Sequence, residues 1–183
     1  MYGKDLKDFA SQTKNFQKRD CFTQIQEYLY SDTLDKVCLV YGLRRTGKTT
    51  MLRQCFYEMK EGDFKRSVYI KATVTDTMAA LNKDLKQLRE LGIKYVFIDE
   101  VTLISDFIDS AAILSDIYSA MGMKIVLSGT DSLGFWLAVH EELYDRAVMV
   151  HTTYIPFSEH SRLLGINDVD EYIRYGGTLK AGV

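Results

Sequence analysis

The residues with the plainest chemical purpose stand together in the run Gly42-Leu43-Arg44-Arg45-Thr46-Gly47-Lys48-Thr49-Thr50. It is the pattern GxxxxGK[ST], complete and in register. Glycine reaches backbone angles closed to other residues, so Gly42 and Gly47 let successive N–H groups curl around a phosphate chain. A helix opening at Lys48 would aim its positive end at the same oxygens. Lys48 then brings a cation to the β and γ phosphates, and Thr49 offers a hydroxyl to Mg²⁺, with Thr50 beside it. Leu43, Arg44, Arg45 and Thr46 make the crest of the loop. Its two arginines either touch phosphate or a neighbouring carboxylate, or stand in solvent.

A second chemical pair is Asp99-Glu100, at the end of the apolar run Tyr95-Val-Phe-Ile98. An acid at the carboxyl tip of a buried strand lies where ligands bind in open α/β sheets. Asp99 is expected to hold Mg²⁺, mostly through water, and Glu100 to polarise an attacking water. Ser128, with Thr130 second, follows the run Lys124-Ile-Val-Leu127 in Ser128-Gly-Thr-Asp131 and is placed to contact a γ-phosphate or its water. The stretch Asn82-Lys83-Asp84-Leu85 imitates a guanine-reading motif, but ends in leucine and precedes the acidic strand, so nothing selects guanine.

These groups need a scaffold, and the hydrophobic pattern predicts one. Short apolar runs rich in β-branched and aromatic residues fall at 37–41, 67–71, 95–98, 124–127 and 147–150, without strict polar alternation, as strands buried on both faces require. Between them come periodic segments. Met51, Leu52, Cys55, Phe56 and Met59 share one stripe, and Leu81, Leu85, Leu88 and Leu91 another. A longer helix is expected over 103–121 and an earlier one over 19–30. The alternation predicts a three-layer α/β/α fold with a mainly parallel five-stranded sheet, as a single domain over 1–183.

Composition narrows the class. A net charge of −2 gives no global reason to expect nucleic acid or an anionic membrane as partner. Cys21, Cys38 and Cys55 lack metal-site or CxxC spacing and read as reduced thiols. His140, His151 and His160 are scattered, without ligand partners at metal spacing. No apolar leader opens the chain and no apolar run approaches a membrane span of about 18 residues, so the expectation is a soluble cytoplasmic protein with no membrane partner.

Taken together, GLRRTGKT, YVFIDE, IVLSGTDS and EELYDRAVMVHTTYIPFSEHSRL resemble a family of prokaryotic AAA+-type P-loop ATPases, close to the archaeal ATPases and the STAND group. The resemblance spans about residues 19–177 and implies ATP and Mg²⁺ as ligands. In such proteins an arginine stands just before the last core strand. Arg146 matches it, which implies a γ-phosphate sensor or an arginine finger. Asp145 replaces the family's usual glycine there and is a competing ion-pair partner. Members usually carry a further C-terminal domain of unknown function. The resemblance therefore implies a fragment: 1–18 an N-terminal extension, and 165–183 the start of the connection to a missing domain that would read a protein or nucleic-acid partner.

Three activities fit, in this order. The first is Mg²⁺-dependent ATP hydrolysis, with Lys48, Glu100, Ser128 and Arg146 as the working residues. The second is a nucleotide-dependent switch of the STAND kind with little turnover. The third is a small-molecule kinase, disfavoured because Arg146, Arg162 and Arg174 are too dispersed for an arginine-rich lid. Ring assembly with other copies and a single-copy state are both compatible with the sequence.

Overall fold

The structure, a computed structural model, describes residues 1–130, 143 and 145–179. Asp131, His140 and positions 141, 142 and 144 of the late motif lie outside the described residues, as do 180–183. Five strands run at Val37–Gly42 (β1), Ser67–Lys71 (β2), Tyr95–Asp99 (β3), Lys124–Gly129 (β4) and Ala147–Thr152 (β5). They form one sheet in the order β2-β3-β4-β1-β5, every neighbouring pair parallel. All carboxyl ends therefore share one rim, which gathers Gly42, Asp99, Gly129 and Thr152.

The sheet is sandwiched because its strands are apolar on both faces. On one face Leu39, Val96, Ile98, Ile125 and Leu127 meet Leu81 and Leu85 of the helix Met78–Glu90, with Phe107 and Leu114 beyond. On the other, Cys38, Val40, Phe97 and Val126 meet Ile25 of the helix Phe22–Tyr30 (α2) and Met51 and Phe56 of the helix Lys48–Glu58 (α3). The three-layer arrangement expected from the sequence is present. Cys38 and Cys55 are buried free thiols in this second layer.

Residues 1–18 do more than precede the domain. Gly3–Ser11 is a helix (α1) that buries Leu6 and Ala10 in the second layer, and its Phe9 ring lies 4.5 Å from that of Tyr69. The single helix expected over 103–121 is not formed. A 3₁₀ turn at Val101–Leu103, a short helix Phe107–Ser110 and a π-helical stretch Leu114–Ser119 replace it. The apolar spacing of Val101, Ile104, Phe107, Ala111, Leu114 and Tyr118 is helical, and all six are buried. Tertiary bonds break the regularity: Asp106 accepts the Met78 N–H at 3.0 Å, and the Tyr118 hydroxyl reaches the Asn82 carbonyl at 2.8 Å. The chain ends its described course with helices Phe157–Leu164 and Val169–Tyr175. No helix among the described residues is long and apolar enough to cross a membrane.

Candidate phosphate-binding site

The loop between β1 and α3 is built on two glycine conformations. Gly42 has φ +138°, and a Cβ there would lie 2.2 Å from the Thr152 carbonyl oxygen of β5, so no side chain fits. Gly47, at φ +89°, is the left-handed cap from which α3 starts. Arg45 also sits at positive φ, +62°, a cost of about 1–2 kcal/mol for an L-residue that the loop must absorb. Thr46 is fully buried, its hydroxyl donating to the Leu43 carbonyl at 2.8 Å and lying 2.8 Å from the Thr152 hydroxyl. Leu43, Arg44 and Arg45 are exposed on the crest.

Lys48 is buried, and its ammonium donates to the Gly42 and Leu43 carbonyls at 2.8 and 2.6 Å. Burial lowers its pKa from the ordinary lysine value. The charges of Glu100 and Asp99 oppose that shift, and Arg44 adds to it.

Asp99 is 2% exposed, yet its carboxylate takes four donors. Oδ2 accepts the Thr49 hydroxyl and the Tyr69 hydroxyl, each at 2.8 Å. Oδ1 accepts the Ser128 hydroxyl and, at 3.1 Å, the Glu100 N–H. The strand order explains the convergence, because β4 lies between β3 and β1 and Ser128 projects into the gap. Glu100 is half-buried at φ +58°, where it turns the chain from β3 into the 3₁₀ segment. Tyr69 was not singled out from the sequence, since nothing local distinguishes it within an apolar strand. Burial first, and the Asp99 charge next, push its pKa up, so it stays a hydrogen-bond donor.

Behind the loop lies a buried ion pair that sequence reasoning also missed. Arg19 and Glu159 are 7% and 4% exposed. The Arg19 guanidinium donates to Glu159 through Nε at 2.6 Å and Nη2 at 3.3 Å, and to the Thr46 carbonyl through Nη1 at 2.5 Å. Glu159 also accepts the Asp20 N–H at 2.8 Å. Beside this pair opens a cleft of about 100 Å³, lined by Phe16, Arg19, Gly47, Thr50, Gln54 and Leu163 among others. The final described residues return to the loop. The Ile155 N–H meets the Gly177 carbonyl at 2.7 Å, and the Leu179 N–H meets the Arg45 carbonyl at 2.8 Å. Next to Glu159, the ring of His160 is fully buried, edge-on to Tyr172, and neither of its nitrogens finds a hydrogen-bond partner among the described residues.

Arg146 stands apart from these groups. It precedes β5, and Ala147 is in register with Val37, at the amino ends of the strands. Five residues of strand, about 17 Å at 3.3 Å each, separate that end from Gly42. Arg146 there pairs with Asp116 at 3.1 Å, while Asp145, its expected rival, pairs with Lys36 at 3.2 Å. Arg146 therefore sits at the rim opposite its own glycine loop.

Comparison with known proteins agrees with this architecture. A family model described as an AAA domain matches residues 34–161. Among solved structures, a chain of Saccharomyces cerevisiae Hsp104 in complex with casein, in an extended conformation, superposes with a TM-score of 0.61 at 16% identity. The match covers 93% of this chain but only 33% of that one, and at this identity it speaks for the fold alone. No curated protein matches the sequence.

Proposed function

This chain belongs to the AAA domain family and has its P-loop nucleotide-binding fold, and from that premise we propose that it binds ATP with Mg²⁺ and hydrolyses it. The supporting observation is the 2.8 Å bond between Thr49, in the first turn after the glycine loop, and Asp99, at the tip of β3. It brings a hydroxyl and a carboxylate oxygen together beside the loop lysine. Hard oxygen donors of this kind suit Mg²⁺, and the ion, when bound, would neutralise charge on the phosphates.

The chain's own residues supply the rest. The loop N–H groups and the N-terminal end of α3 receive the β and γ phosphates, with Lys48 exchanging its carbonyl partners for phosphate oxygens. Thr50 and the adjoining cleft receive the base side of the nucleotide. Glu100, turned out of β3 by its positive φ, accepts a proton from the water that attacks in line. Ser128 holds Asp99 in place from β4. Arg146, on the far rim and 46% exposed, keeps an arginine-finger role only toward the nucleotide of a neighbouring copy. A protein or nucleic-acid partner, reached through a further C-terminal domain in the cytoplasm, belongs to the same proposal.

The test is calorimetric titration with Mg²⁺-ATP alongside a phosphate-release assay. Binding and turnover in the parent, binding without turnover in Glu100→Gln, and neither in Lys48→Ala would bear the proposal out. A parent that binds no nucleotide would end it. One observation favours the switch reading as an alternative. The bond from Leu179 to the Arg45 carbonyl ties the C-terminal segment to the crest, so a nucleotide can move that segment without being cleaved. Tight binding with no phosphate release in the parent would select it.

A further inference from the structure

We propose that Arg19 is a positioning residue for nucleotide binding: it fixes the Thr46–Gly47 peptide so that the Gly47 N–H faces the phosphates. The proposal rests on the reading of 42–49 as a phosphate loop and adds a residue from outside that motif.

A trans peptide holds its C=O and the following N–H in opposite directions. A loop therefore turns its N–H groups inward only if the preceding carbonyls point outward, and those carbonyls need donors of their own. Two successive crest carbonyls find them outside the loop. Arg45 O takes the Leu179 N–H, which sets the Thr46 N–H, and Thr46 O takes Arg19 Nη1, which sets the Gly47 N–H. The aliphatic part of Arg19 also underlies Gly47: its Cγ lies 3.6 Å from where a Cβ on that glycine would be.

The geometry of Arg19 suits aiming rather than ligation. Glu159 takes Nε and Nη2, which leaves Nη1 directed at Thr46 and withholds the cation from phosphate. The simpler reading is a buried ion pair that only ties residue 19 to residue 159. Such pairs are weak stabilisers once desolvation is counted, and replacing both partners by apolar residues is often neutral. Nucleotide affinity and the Gly47 amide, rather than stability, separate the two readings.

The experiment compares the parent with Arg19→Met/Glu159→Leu and with Arg19→Lys, reading thermal midpoint, Mg²⁺-ATP affinity and the ¹⁵N–¹H resonance of Gly47. The double variant leaves the Thr46 carbonyl and the Asp20 N–H without these partners, so a lower midpoint is expected together with about tenfold weaker binding, the ~1.4 kcal/mol of one misdirected hydrogen bond. Its Gly47 resonance should shift even before nucleotide is added. Should the double variant fail to fold, Arg19→Lys decides: it keeps the charge opposite Glu159 but cannot serve three acceptors in a fixed fork, and a similar affinity loss is expected. Parental affinity with an unmoved Gly47 resonance, in whichever variant folds, overturns the proposal. A parent that binds no nucleotide refutes the phosphate-loop reading instead, so the two failures stay distinct.

Discussion

Gly42→Ala tests the join between the phosphate loop and the sheet. The backbone there is at φ +138°, and a methyl would lie 2.2 Å from the Thr152 carbonyl oxygen and 2.5 Å from its hydroxyl. The nearer atom cannot yield by side-chain rotation, because it is backbone of a paired strand. The positive-φ conformation costs an L-residue about 1–2 kcal/mol. Forcing β5 from β1 adds the roughly 1–3 kcal/mol typical of overpacking. The sum, about 2–5 kcal/mol, corresponds to a fall in midpoint on the order of 10 °C for a domain of this size. Gly92→Ala is the matched control: φ is +76° and nothing lies within 4 Å, so only the conformational part remains, about 1–2 kcal/mol. Differential scanning fluorimetry on both variants decides the matter. If Gly42→Ala melts within about 2 °C of Gly92→Ala, the clash carries no energy and the argument from Thr152 fails.

Further outcomes are expected elsewhere in the site. Tyr69→Phe removes one of four donors to the buried Asp99 carboxylate and should lower stability by about 2 kcal/mol in urea denaturation; an unchanged midpoint would contradict the contact's weight. Lys48 is harder to protonate in the folded chain than in the unfolded one because it is buried. Between its lowered pKa and the unfolded value near about 10.4, the unfolded chain binds more protons, so this contribution to stability rises with pH. The parent-minus-variant stability for Lys48→Met should therefore climb toward about pH 10.4, and a flat difference would refute the sign. Arg146→Ala breaks only a half-exposed pair with Asp116, should cost under about 1 kcal/mol, and should leave the chain's own ATP affinity untouched; a tenfold loss in calorimetry would contradict its place at the opposite rim. His160→Phe removes a buried imidazole that lacks partners among the described residues, and should raise the midpoint rather than lower it.

What the sequence revealed follows from the range of each interaction. The glycine loop is legible because its chemistry is contiguous: spacing, lysine and hydroxyl all fall within one turn and the start of one helix. The five strands are legible because burial on both faces leaves unbroken apolar runs, and β1 extends the expected segment only by Gly42. The 103–121 segment misled because helical spacing reports a buried face, not an unbroken hydrogen-bond ladder; contacts from elsewhere, the Asn82 carbonyl among them, dictate its interruptions. Tyr69, Arg19 and Glu159 could not be picked out, since their partners lie 30 and 140 residues away and carry no local signature. The two roles open to Arg146, sensor or finger, could not be separated for a related reason: its motif fixes its place before a strand, whereas only the register shows at which end of the sheet that strand begins.

The bond between the Leu179 amide and the Arg45 carbonyl has a thermodynamic corollary. Whatever free energy a ligand at the crest adds to or subtracts from that anchorage is returned in full when the anchorage is changed from the other side. Were ATP to loosen residue 179 tenfold, anything holding residue 179 against the crest would weaken ATP tenfold. The tail is thus as much an effector of the loop as the loop is of the tail, and affinity measured on one reads out the state of the other.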